Sequence, residues 1–142
     1  MKKLAILFAA TAGVVFINGQ KIQQKDIPGS VQFGLQKQFP DAKNVKWEKE
    51  NGNYEAGFKS KGTEYSVLLN ASGSIMETEI PVSINSLSAP IKQFIAQKYP
   101  NQKIKEAAKI TDAKGIVTYE AETGGKDLIF DSKGNFLREI KD

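Results

Sequence analysis

Glu77 and Glu79 stand two residues apart in the stretch from Ser74 to Ile80. On a β-strand that spacing puts both carboxylates on one face. A glycosidase needs two carboxylates roughly 5–9 Å apart around a sugar, so a weak hydrolase is one chemistry the chain could carry. Other catalytic designs are excluded. With no histidine and no cysteine in 142 residues, the usual zinc sites, thiol nucleophiles and histidine-based triads cannot be built. Neither Ser-x-x-Lys nor Gly-x-Ser-x-Gly occurs, nor a phosphate loop or dinucleotide glycine pattern. Paired glutamates on a strand are more often solvated edge charges, so no catalytic residue, cofactor or metal ligand is assigned.

Three further groups invite a functional reading. Asp131-Ser132-Lys133-Gly134-Asn135 begins like a calcium loop but lacks the later ligands and closing glutamate. A hairpin turn explains its Asp and Gly. Trp47, Tyr54, Tyr65 and Tyr119 could form an aromatic strip, yet they share the apolar register and read better as core. Lys103, Lys105 and Lys109 alternate along one strand and could attract an acidic partner. Glu106 and Asp112 dilute that field.

The elements that position these residues recur. Ile27, Val31, Leu35 and Phe39 fall four apart, which predicts a helix over about 28–38 stopped by Pro40. Ile91, Phe94, Ile95 and Tyr99 predict a second, capped near Ser88 and stopped by Pro100. After each helix the apolar period becomes two. Val45-Trp47, Tyr54-Ala56-Phe58 and Tyr65-Val67-Leu69 alternate with polar residues, joined by turns at Asn51-Gly52, Lys61-Gly62 and Ala71-Ser72-Gly73. A fourth strand runs over about 74–80. The second set spans about 103–110, then Val117-Tyr119-Ala121, Leu128-Phe130 and Phe136-Ile140. Tyr54-Glu55-Ala56 returns as Tyr119-Glu120-Ala121, 65 residues on, and Gly73 returns as Gly134, 61 residues on. Self-similarity of this kind marks a duplicated supersecondary unit. The expected fold is α+β: a tandem helix-plus-four-strand unit (about 26–81 and 86–142), two helices on one face of a shared antiparallel sheet, and one core. Residues 20–25 are expected to be a disordered lead-in.

The first 19 residues are set apart from the fold. Lys2 and Lys3 precede an apolar run of 14 residues, Leu4 to Ile17, followed by Asn18-Gly19-Gln20. That is the pattern of a secretory signal peptide and is shorter than the roughly 20 residues a membrane span needs. The chain is therefore expected to be exported, periplasmic or secreted, as a single domain from residue 20. Without Lys2 and Lys3, 18 basic residues face 16 acidic ones, a net charge of +2. That is an ordinary solubility margin, with no nucleic-acid footprint and no membrane attachment after cleavage.

A helix ending in Phe39-Pro40, then Ala42, Val45 and Trp47, then Tyr54-Glu55-Ala56-Gly57-Phe58, resembles the PepSY-like family of secreted bacterial proteins, also described as beta-lactamase-inhibitor-protein-like. Lys98-Tyr99-Pro100 and residues 131–136 fit the same pattern. The second copy departs at Trp47, where Glu106 and Ala107 stand instead. The resemblance implies a bacterial envelope protein and no catalytic residues. Shared fold is weak evidence for a shared target.

Two helices cover one face of an antiparallel sheet and can leave the other to solvent. Lys46, Glu48, Glu55, Lys59, Glu64, Lys105, Lys109 and Glu120 are the residues expected on that open face. The function they suggest is an exported, non-enzymatic binding module engaging an envelope or extracellular protein, with inhibitor-like action. Small-ligand or calcium binding and the paired-carboxylate hydrolase stay as alternatives. A structural role through edge-strand pairing is a fourth, and the oligomeric state is open.

Overall fold

The computed structural model describes residues 20–141. The basic start and apolar run assigned to a signal peptide lie outside the described residues. Among the described residues nine strands and two α-helices make an α+β fold, in two compact units divided between Glu79 and Ile80.

The first unit contains β1 (Gln20–Ile22), a 3-10 turn (Gln24–Asp26), α1 (Gly29–Gln38), β2 (Lys43–Glu50), β3 (Asn53–Ser60), β4 (Thr63–Leu69) and most of β5 (Ile75–Val82). The second contains a 3-10 turn (Ile84–Ser86), α2 (Ala89–Lys98), β6 (Ile104–Asp112), β7 (Val117–Thr123), β8 (Lys126–Asp131) and β9 (Phe136–Lys141). Within each unit, consecutive strands pair antiparallel.

β1 corrects the expectation of a disordered lead-in. Gln20, Lys21 and Ile22 pair with Lys49, Glu48 and Trp47, and Ile22 packs against the first core. The edge of β2 offers unpaired backbone groups that a short strand satisfies. A strand of three residues with one apolar side chain has no alternation to read.

In the first unit Ile27, Val31 and Leu35 pack on Trp47, Tyr54, Ala56, Phe58, Val67 and Leu69. In the second, Leu87, Ile91 and Ile95 pack on Ala107, Ala121, Leu128 and Phe130. The spacing of four thus does what it predicted, burying one helical stripe on one sheet face. Each unit has an apolar cluster of its own. Trp47, Tyr54, Tyr65 and Tyr119 all belong to or flank these clusters, so the aromatic strip is core.

The hairpins use two devices. Asn51-Gly52, Lys61-Gly62 and Gly124-Gly125 all have positive φ at both positions, the twist-matched two-residue turn. At Asn70, Asp112 and Asp131 a side-chain oxygen instead accepts backbone N–H groups two and four residues on. The chain then turns through a glycine at Gly73, Gly115 or Gly134.

Gly73 and Gly134 have a second duty. Gly73 (φ +86°) lies so close to α1 that a Cβ there would run into the Ser30 carbonyl, and Ser30 Oγ donates to Ala71 O at 3.0 Å. Gly134 (φ +87°) lies against Pro90 and Ser88 at the start of α2. Each helix start is thus clasped by the last hairpin turn of its own unit. Gly34 allows the close approach in the first unit, since a Cβ there would strike the Gly73 carbonyl. The matching position of α2 is Phe94, which stacks on Phe136 with centroids 4.6 Å apart.

Candidate functional site

The candidate site grows from strand alternation in the first unit. Residues between the core-facing ones project from the sheet face away from α1. One row across that face reads Glu48, Glu55, Leu68, Glu77, and the next reads Lys46, Gly57, Ser66, Glu79. Lys59 and Glu64 pair beyond them. The structure therefore brings Lys46, Glu48, Glu55, Lys59 and Glu64 onto one face, as expected. Lys46 and Lys59 are exposed and the three glutamates half-buried.

This strip is polarised along the strands. Glu48, Glu50 and Glu55 gather toward the β2–β3 turn, while Lys46 and Lys59, the latter opposite Glu64, lie toward the other end. Glu48 sits directly opposite Glu55, a like-charge pairing that disfavours the strand pair. Ser66 Oγ donates to Glu55 Oε1 at 2.8 Å. Burial, then the charge of Glu48, hold the Glu50 carboxyl above its ordinary value.

The second unit corrects three of the expected residues. Glu120 occupies the position matching Glu55 but is only 3% exposed. Its row runs Ala108, Glu120, Ile129, Arg138, and both neighbours are buried. Lys109 pairs with Tyr119, which packs against the second core. Lys109 therefore sits on the α2 side of the sheet, as Lys49 opposite Tyr54 sits on the α1 side. Lys105 is exposed but falls where the β6–β7 register slips between Ile104 and Glu106. That irregularity breaks the simple alternation that grouped Lys103, Lys105 and Lys109.

The face away from the helices is thus not open throughout. Leu68, Glu79, Ala108, Ile129 and Asp127 are buried. A signal for this was present in Val67-Leu68-Leu69 and Leu128-Ile129-Phe130. Three apolar residues in a row mark a strand covered on both faces. Glu77 and Glu79 share a face, as their spacing required. With Glu79 1% exposed, they do not flank an open cleft. Among the described residues no three acidic side chains are placed to hold a metal ion.

The loop at Asp131 is a turn. Its Oδ1 accepts from Lys133 N at 2.9 Å and Asn135 N at 2.8 Å, and its Oδ2 accepts from Asn135 Nδ2 at 3.0 Å. These bonds, led by that of the Asn135 side chain, hold the carboxyl below its ordinary value.

One polar cluster escaped the sequence reading. Tyr99, just past α2, donates from Oη to Glu139 Oε2 at 2.6 Å. Lys126 Nζ donates to Glu139 Oε1 at 3.2 Å and lies 5.6 Å from the Tyr99 ring centroid. The Tyr99 bond, then Lys126, hold the Glu139 carboxyl low, while the same bond raises Tyr99. The cluster ties the end of α2 to β8 and β9. The first unit does this with rings: Phe39 packs on Phe58 and Tyr65, centroids 5.2 Å apart in each case.

A family model described as "Putative beta-lactamase-inhibitor-like, PepSY-like" matches this chain twice, over residues 8–75 and 60–138. The chain belongs to the PepSY-like family. Two overlapping matches agree with the internal similarity of the two units. A BLIP-like protein from Bacteroides fragilis NCTC 9343 is 25% identical, covering 80% of this chain and 84% of that one, with a TM-score of 0.61. A DUF2874 family protein from Bacteroides ovatus ATCC 8483 is 23% identical over 80% and 86%, with a TM-score of 0.69. A "putative periplasmic" protein from Bacteroides eggerthii DSM 20697 is 18% identical over 80% and 87%, with a TM-score of 0.71. The latter two share the fold. No curated protein matches this PepSY-like chain. No helix among the described residues is long and apolar enough to cross a membrane.

Proposed function

We propose that this PepSY-like chain is an exported, non-enzymatic binding module of the bacterial envelope. The polarised strip on β2 and β3 engages a partner protein. The carrying observation is the strip itself: exposed Lys46 and Lys59 at one end, beside the half-buried Glu64, and Glu48, Glu50 and Glu55 at the other, over about 13 Å of strand. Such a pattern selects a partner of opposite polarity and sets its orientation more than its affinity. The second unit has Ala108 where the first has Glu48, so the surface differs between repeats whose packing positions agree. Export is supported by Lys2, Lys3 and the apolar run after them, and by the "putative periplasmic" description of a neighbour with this fold.

The absence of histidine and cysteine and the burial of Glu79 weigh against a hydrolase. Edge pairing between copies is disfavoured on the β1 side, because β1 has only three residues and carries Lys21, and short, charged strands blunt an edge. We read the two units as duplicates of one helix-plus-four-strand element, about 26–81 and 86–142.

Affinity capture from periplasm, with the native chain and with Lys46→Glu, Glu48→Lys and Lys59→Glu together, tests the surface. A discrete partner retained by the native chain and lost with the charge reversals supports it. Equal retention by both, or no partner, removes the surface assignment.

A further inference from the structure

We propose that the charged strip on β2 and β3 docks face to face on the same strip of a second copy of this chain, through a two-fold axis lying across the strands. This rests on the reading of the strip as a binding surface and names its partner.

Gly57 stands in the middle of β3. Glycine weakens a strand interior, because it loses more backbone entropy and packs no side chain. Nothing within the unit calls for it. Its φ is not positive. A Cβ there, its own chain neighbours aside, would meet only the Lys46 carbonyl oxygen within 4 Å, at an ordinary contact distance of 3.8 Å. The matching position of the second unit carries Glu122, opposite Asp127 as Gly57 is opposite Ser66, so the repeat accepts a side chain there. A strand glycine with no internal reason marks a place where another chain comes close.

The order of charges says which chain. The rows crossing β2 and β3 run Lys43–Lys59, Lys46–Gly57, Glu48–Glu55 and Glu50–Asn53, basic at one end and acidic at the other. Glu64 opposite Lys59 and Lys21 opposite Glu48 temper the two ends without reversing them. A copy turned end for end, about an axis midway between the Lys46 and Glu48 rows, lays its Glu48 on Lys46 and its Lys46 on Glu48. Its Glu55 then lies over Gly57, where no side chain stands in the way. Stacked sheet faces lie about 10 Å apart, within the combined reach of a lysine and a glutamate. The other face-to-face arrangement, with strands running the same way, sets acid on acid and base on base, which opposes it. A two-fold contact makes every pair twice. Leu68 on β4 is buried, so the contact is confined to two strands. It is small and held by charge, at the transient end of interfaces.

The test is sedimentation equilibrium of the chain purified from the envelope of a secreting bacterial host, at low salt and rising concentration. A monomer–dimer equilibrium is expected, weakened by salt at about 1 M, where the screening length is about 3 Å. Lys46→Glu and Glu48→Lys should each weaken it by at least about tenfold, since each sets like charges together at both pairs. An equal mixture of these two variants should dimerise again, because both pairs are then opposite in sign. Gly57→Val should unfold in urea no earlier than the native chain, valine being the better strand former, yet lose the association. A monomer at every concentration overturns the self-docking and leaves the strip to another protein, which the affinity capture decides independently. A dimer that no substitution weakens overturns this face as its seat. A mixture that stays monomeric overturns the two-fold pairing, and a Gly57→Val chain that unfolds earlier overturns the docking role of the glycine.

Discussion

Replacing Gly73 with alanine should damage the first unit far more than its place on a turn suggests. Two costs add. At φ +86° an alanine enters the left-handed region, which costs roughly 1–2 kcal/mol. Its Cβ would also strike the Ser30 carbonyl oxygen and sit 2.8 Å from the carbonyl carbon. Backbone cannot rotate away as a side-chain tip can. The turn must therefore lift off α1, loosening the 3.0 Å bond from Ser30 to Ala71 and the Gly34 contact. Overpacking of this kind costs about 1–3 kcal/mol, for a total of about 2–5 kcal/mol. Gly52→Ala is the control. It has φ +79° and nothing within 4 Å of a built Cβ, so it pays only the backbone term of about 1–2 kcal/mol. Urea unfolding followed by Trp47 fluorescence reads both, because the single tryptophan is buried in the first unit. Gly73→Ala should lower the unfolding free energy by at least about 1 kcal/mol more than Gly52→Ala. Equal losses would refute the clasp between the hairpin turn and the helix start.

Three further outcomes are expected. Glu139 has a lowered carboxyl pKa, so its contribution is present above the unfolded value of about 4.3 and is lost as pH falls through the folded value. The melting temperatures of native protein and Glu139→Gln should differ at pH 7 and converge as pH falls through the folded value, as calorimetry across pH would show. Trp47 Nε1 is buried without a hydrogen-bond partner, so Trp47→Phe surrenders no bond and should cost well under the ~3–5 kcal/mol of Trp47→Ala, measured by urea unfolding with circular dichroism. Lys46→Glu and Lys59→Glu, both at exposed positions, should change unfolding free energy by less than about 0.5 kcal/mol, so that any loss of binding is not a loss of fold.

The helices were legible because apolar residues four apart and a proline stop admit one structure. The strands were legible because Trp47, Tyr54 and Tyr65 each open a two-residue alternation between strong turn pairs. What escaped notice had no local pattern or a misleading one. β1 is too short to alternate. The register slip near Lys105 follows from pairing, which no single strand displays. Glu79 and Glu120 read as solvated charges because carboxylates usually are. The apolar triplets beside them, 67–69 and 128–130, carried the contrary message. The site was accordingly half legible. Five of its eight expected residues share one face, while Glu120 is buried, Lys109 faces the other way and Lys105 falls at a register slip. The Tyr99–Glu139–Lys126 cluster joins residues up to 40 apart in sequence and left no local trace.

Site-specific photocrosslinking in intact cells tests the central claim most directly. A photoreactive residue at Lys59, on the strip, is compared with one at Gln36, an exposed position of α1. The account predicts a discrete protein adduct from position 59, absent from position 36 and abolished by Lys46→Glu. An adduct formed equally from both positions, or none from position 59, would contradict it.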